Sequence, residues 1–453
     1  MSGNEYHHRW TVVAGALLLQ AVLGTVYAFS VFVRPLEQAF DWDRATTQWA
    51  FSLALAMFAL SMIPAGRLQD RIGPKKVAFI GTGLLGASFI FGAILLSIVP
   101  HPAAFYVSYG IIGGMGIGFA YVCPLAALVK WYPDKKGLIT GLAVAGFGAG
   151  ALFFAGPASE LMMPPMPGET SLGVVEIVLI GVGLSEGTGY GIGWQAFFVI
   201  HGLMCLVLGG LGSSLLRNPP KGWSPPNFVA AQTGRPLIER TSSEMLDTPL
   251  AWMLWLTFIF GATSGLMAIG QWQPMVSEIL GDTRFAPEWM GGFGRFVEPV
   301  GILALFNALG RIVWGKVSDR IGRPRAMVVM YLAQGIAFVL LVSATTPFMI
   351  FVASAWVGLN FGGNFALFPA ATADSFGTKN LGMNYGFIFT GYGVAGIIGP
   401  AAGGVFFDVT QQYVLAFLFA GVLCFLAAGT SVMVWALTRV EQAAAESAAQ
   451  THA

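Results

Sequence analysis

The chain has 453 residues, 56% of them hydrophobic and 10% charged. Soluble domains average about 25% charged residues, so a water-soluble globule is excluded. Its 23 basic and 22 acidic side chains leave a net charge of +1, which supplies no basic field for nucleic acid.

A helix needs about 20 apolar residues to cross roughly 30 Å of hydrocarbon, so charge-free runs count the spans. The first, Trp10 to Val33, is followed by no small-residue cleavage site and is expected to remain in the mature chain. The second is Ala45 to Gly66, and Val77 to Val129 holds two more, divided by Pro100, His101 and Pro102. Gly137 to Ser159 is the fifth. Residues 158–193 form an insertion, read as an extracellular cap with a hairpin in Val174 to Leu184; a longer sixth helix is the alternative, and Glu176 and Glu186 argue against it. Gly187 to Leu216 is the sixth span. A proline-punctuated linker, 217–248, follows and ends in the capping-box spacing Thr241 to Glu244. Thr248 to Ser277, Pro299 to Lys316, a pair within Ala326 to Ala373 divided at Thr345 to Pro347, Asn380 to Phe407 and Val409 to Thr438 complete the count.

The expected fold is therefore an all-α membrane protein of twelve transmembrane helices in two six-helix halves, residues 1–216 and 249–453. Barrel strands would instead show short alternating segments. The Lys/Arg bias places both termini in the cytoplasm, with a bacterial inner membrane as the expected location and a monomer as the expected state.

Several chemical motifs are discounted. Gly310 to Lys316 resembles a phosphate loop, but Val317 stands where Ser or Thr is required. Two GxGxxG strings, from Gly81 and from Gly391, lie in apolar helices, where glycines serve close packing, as do Gly110, Gly114, Gly118, Gly146 and Gly150. Cys123, Cys205 and Cys424 are isolated, and His201 is read as a core group. No metal site and no cofactor are expected.

One string occurs twice, Gly66-Arg-Leu-Gln-Asp70-Arg71-Ile-Gly73 after the second span and Gly315-Lys-Val-Ser-Asp319-Arg320-Ile-Gly322 after the eighth. Carrying this signature at equivalent places in both halves, the chain resembles the major facilitator superfamily of transporters. The resemblance implies the twelve-helix major facilitator fold, with Asp70, Arg71, Asp319 and Arg320 as a conformational latch.

Arg311 is the one charge in the middle of a span. It costs about 2.5 to 3.5 kcal/mol on the translocon scale, and no acid stands near the centre of any span to pair with it. The missing anion is then a candidate substrate; snorkelling towards Lys316 is the alternative. Asn307 lies one turn before Arg311, Tyr27, Tyr121 and Tyr392 sit within other spans, and Phe361 and Phe365 are read as stacked one turn apart.

Lys130 to Gly137, Glu244 to Leu246 with Thr248-Pro249, Phe306-Asn307 before Arg311, Ala366 to Pro369 and Asn384 to Phe387 are similar to strings of the oxalate:formate antiporter family, which is related to the monocarboxylate transporters. This likeness implies Arg311 as the substrate arginine and Tyr27, Tyr121, Phe361, Phe365 and Phe389 as cavity aromatics. Where the oxalate exchanger has a second cation, a lysine, this chain has Tyr392; where animal monocarboxylate transporters have an aspartate, it has Asn307. The expected function is secondary transport of small monocarboxylates by alternating access, without catalysis, with a proton or counter-anion as possible co-substrate. An oxalate or dicarboxylate exchanger and a receptor that does not translocate are the alternatives.

Overall fold

The structure, a computed structural model, describes residues 3–132, 136–162, 193–220, 239–280, 299–343, 346–377 and 380–451, and every regular element among them is helical. The expected cap and hairpin, and most of the linker, lie outside the described residues.

The first span is α1 (Gly3–Leu23), a 3-10 turn (Gly24–Ala28) and α2 (Ser30–Phe40), so it continues past the predicted Val33. Asp43 then caps α3 (Arg44–Ile72), its carboxylate accepting the Thr46 N–H at 2.7 Å. Next come α4 (Pro74–Ile98), a four-residue α5 (Pro102–Phe105), a π-helical segment (Tyr106–Gly113) and α6 (Gly114–Trp131). α7 (Lys136–Met162) and α8 (Gly193–Leu215) follow, then the short α9 (Ser242–Leu246). The remaining helices are α10 (Pro249–Leu280), α11 (Pro299–Ile321), α12 (Arg323–Leu341), α13 (Pro347–Phe376), α14 (Leu381–Thr410) and α15 (Val414–Thr451). Among the described residues, eleven stretches are long and apolar enough to cross a membrane. α7, with its apolar part Gly141–Leu152, makes the twelfth of a twelve-helix bundle.

Local chemistry accounts for the breaks. His101 accepts the Ala103 N–H through Nδ1, and the Thr346 hydroxyl accepts the Met349 N–H, each at a helix start carrying proline at its first position. The capping box forms at α9, where the Thr241 backbone N–H and hydroxyl hold the Glu244 carboxyl below its usual range. In the repeated string, Gly73 and Gly322 adopt φ of 89° and 88°. That conformation is costly for any side chain bearing a Cβ, which explains glycine at both places.

Successive spans run up and down. One end of the bundle holds both chain ends and the two repeated turns; the far end holds the turns at 41–43, 99–101 and 411–413. A continuous buried core runs through the bundle, while Phe348, Leu340, Val207 and Val409 are exposed on its outside, as lipid-facing residues are. Between the first six spans and the last six, the main contacts are α3 on α14 and α7 on α11. The second of these passes through Arg311.

Candidate substrate-binding site

Arg311 is fully buried, which overturns the snorkelling alternative, since a guanidinium reaching the polar layer would be exposed. Its Nε donates to Asn307 Oδ1 at 3.0 Å and its Nη1 to the backbone carbonyl of Val144 in α7. The Arg311 carbon Cζ lies 4.3 Å from the centre of the Phe365 ring and 5.7 Å from that of Phe147, close enough for cation–π attraction. Arg311 Nη2 and Asn307 Nδ2 are buried donors with no hydrogen-bond partner, and no described carboxylate pairs with the guanidinium. A buried charge with a free donor is the arrangement that a small anion completes.

Helix contact places these groups. A Cβ added to Gly362 of α13 would stand 2.0 Å from the Asn307 carbonyl oxygen, and one on Gly310 of α11 1.9 Å from that of Leu359. Backbones therefore meet directly, the close approach that small residues permit in membranes. Across the bundle, a Cβ on Gly148 of α7 would stand 2.9 Å from Asn307 Oδ1, so α7 lies flat against the asparagine.

Tyr27 comes from the 3-10 turn of the first span. Gly24, which opens that turn, abuts the carbonyl of Phe147, bringing Tyr27 edge-on to the Phe147 ring at 5.1 Å. The Tyr27 and Tyr392 hydroxyls meet at 3.1 Å, joining the first span to α14. Tyr121 lies edge-on to Phe147 at 5.1 Å and stacks on Phe389 at 5.9 Å, and Phe389 stacks on Tyr392 at 4.8 Å. Phe361 and Phe365 are edge-to-face at 5.6 Å, not stacked as expected: one helical turn brings the two rings together without making them parallel.

The eight candidate residues thus meet in one buried, aromatic-rich cluster between the two sets of spans. Several groups of this cluster escaped the sequence reading, among them the Phe58 and Phe258 rings, which pack on Phe389 and Tyr392. Phe147 lies in a glycine-rich run that reads as packing; the Val144 carbonyl is backbone and has no sequence signature. Tyr385 stands one helical turn before Phe389 within the quoted Asn384 to Phe387 string, and its buried hydroxyl lacks a partner.

The latch candidates are dispersed. Asp319 pairs with Arg323 at 2.6 Å, and Arg323 also holds Asp374 of α13 at 3.1 Å and bonds the Ser318 hydroxyl. Asp319 is therefore bound by Arg323, four residues on, while Arg320 and Arg71 are exposed; the Asp70 side chain lies outside the described residues. His201 Nε2 meets Thr25 at 3.3 Å and Cys205 at 3.7 Å among phenylalanine rings, the surroundings of a core group. No cluster of three metal-ligating side chains occurs among the described residues.

The Major Facilitator Superfamily profile matches residues 13–297 and 298–452. The chain belongs to this superfamily. An uncharacterised major-facilitator-type transporter of Escherichia coli, YhjX, is 29% identical, with 87% of each chain covered. The oxalate:formate antiporter of Oxalobacter formigenes is 28% identical over 93% of this chain and 90% of its own. Apicoplast pyruvate carrier 1 of Toxoplasma gondii is 25% identical over 86% and 82%. This is accordingly an integral membrane transporter.

Proposed function

We propose that this transporter carries small organic monocarboxylates by alternating access, with Arg311 as the anion site. The observation that carries the reading is the fully buried guanidinium with Nη2 free, beside the free Asn307 Nδ2. A carboxylate can accept from both and neutralise the charge, while a short carbon tail lies against Phe361, Phe365 and Phe389. One buried cation balances one carboxylate. A dianion would keep a second charge desolvated and unpaired, a cost of several kcal/mol, because Tyr392 offers a hydroxyl and no charge.

Residues 1–216 and 249–453 act as two halves that rock about this chamber, both termini are cytoplasmic, and the carrier is a monomer in a bacterial inner membrane. Asp70 and Arg71, with Asp319, Arg320 and the Arg323–Asp374 pair, form the cytoplasmic latch. The transported acid is released unchanged, so the protein is not an enzyme.

Counterflow in proteoliposomes tests the reading, with labelled formate, lactate and pyruvate as cargo and oxalate as competitor. Trans-stimulated uptake of a monocarboxylate resisted by little oxalate inhibition is the expected result. Strong oxalate inhibition of the unmodified carrier would move the assignment to the dicarboxylate exchanger, and binding without uptake to a receptor.

A further inference from the structure

At the far end of the bundle, Arg44 opens α3 and is nearly buried, at 9% exposure. Within the first six spans its Nε meets Glu37 Oε1 at 2.8 Å and its Nη2 meets Glu37 Oε2 at 3.3 Å, a two-pronged ion pair. Its remaining arm crosses to the last six spans. Nη1 donates to the Tyr413 hydroxyl at 2.8 Å, and Cζ lies 4.5 Å from the centre of the Phe407 ring.

Behind this contact the two sets of spans meet along a line. Gly404 of α14 is pressed on Ala45, where an added Cβ would stand 3.2 Å from Ala45 Cα. Gln48 Nε2 donates to the Gly270 carbonyl of α10 at 2.8 Å, and the Ser52 hydroxyl to the Ile397 carbonyl of α14 at 3.4 Å. Arg44 is the outermost rung of this ladder.

We infer that Arg44, Tyr413 and Phe407 form the outer gate of the carrier, the contact that must part before the chamber faces the external medium. The chemistry suits a gate better than a permanent clamp. Glu37 belongs to the same set of spans as Arg44 and moves with it, so the guanidinium keeps this counter-charge when its hydrogen bond to Tyr413 and its contact with the Phe407 ring part. The inference rests on the far end being external, as proposed above.

Ser52→Cys gives a reporter, because Ser52 is fully buried two turns inside the gate. Its labelling by a membrane-impermeant thiol reagent added outside is compared in the otherwise unmodified chain, whose own cysteines are buried, and with Tyr413→Phe or Arg44→Gln added. Labelling should accelerate several-fold in both variants, and more in Arg44→Gln, which loses the ring contact as well. Tyr413→Phe keeps the ring and its packing, so it remains informative if Arg44→Gln fails to fold. Unchanged or slower labelling of the Ser52→Cys reporter in a folded Tyr413→Phe protein would overturn the gate. A Gln412→Cys control, exposed in the turn itself, reports sidedness separately: if it is labelled only from the inside, the orientation has failed rather than the gate.

Discussion

Arg311 combines two properties that rarely coexist in a membrane core, a full positive charge and a donor left free. Replacing it with alanine should abolish carboxylate uptake while the protein still inserts. Lysine should be little better, since it keeps the charge but loses the planar fork; a lost charged hydrogen bond of about 2 kcal/mol corresponds to roughly 30-fold in affinity. Saturation binding of a labelled monocarboxylate measures this directly. Tyr392 is the complementary test of charge count. Tyr392→Lys would place a second cation beside Tyr27 and should turn oxalate from a poor competitor into a good one, whereas Tyr392→Phe, which removes only a hydroxyl, should leave the preference for monoanions in place. Equal oxalate inhibition in all three proteins would show that Tyr392 does not set selectivity.

Between elements, the α11–α13 contact is the least forgiving, because Gly362 meets backbone and not a side chain that could swing away. Gly362→Ala should push the helices apart, at a cost on the order of 1–3 kcal/mol, and move Asn307 with them. A lower midpoint of thermal unfolding together with weakened substrate binding is the expected pair of changes. At the proposed latch the expectation is reversed. Asp70→Asn and Asp374→Asn lie far from the chamber along the helices, so transport turnover should fall several-fold while substrate affinity, read by equilibrium binding, stays near its starting value. Much of this arrangement was legible beforehand. Charge-free runs marked the spans and glycine spacing marked the close contacts, because hydrocarbon tolerates neither stray charge nor unsatisfied backbone. The convergence of the candidate residues was legible through one misplaced charge and the polar or aromatic residues at mid-span, which the fold brings into one buried cluster. What was hidden depends on three-dimensional register. Nothing in the run from Gly24 to Ala28 announces a 3-10 turn, Phe147 looks like any span phenylalanine, and the partner of Asp319 is set by helical phase, which selects Arg323 over the adjacent Arg320.

For the whole molecule, the same lone guanidinium sets an electrical rule. Among the described spans Arg311 is the one charge at mid-membrane, and a monocarboxylate seated on it makes the loaded chamber neutral. Changing sides with cargo then moves little charge through the membrane field, whereas changing sides without cargo carries the arginine's positive charge through part of it, up to about 2.3 kcal/mol per 100 mV for a full crossing. Exchange of one monocarboxylate for another, in which the chamber is loaded in both directions, should therefore proceed at the same rate whatever the membrane potential. Net uptake, which needs the unloaded return, should speed up or slow down with the sign of a potassium diffusion potential imposed on the same vesicles. A carrier whose exchange responded to voltage as strongly as its net uptake would have to move a charge besides Arg311.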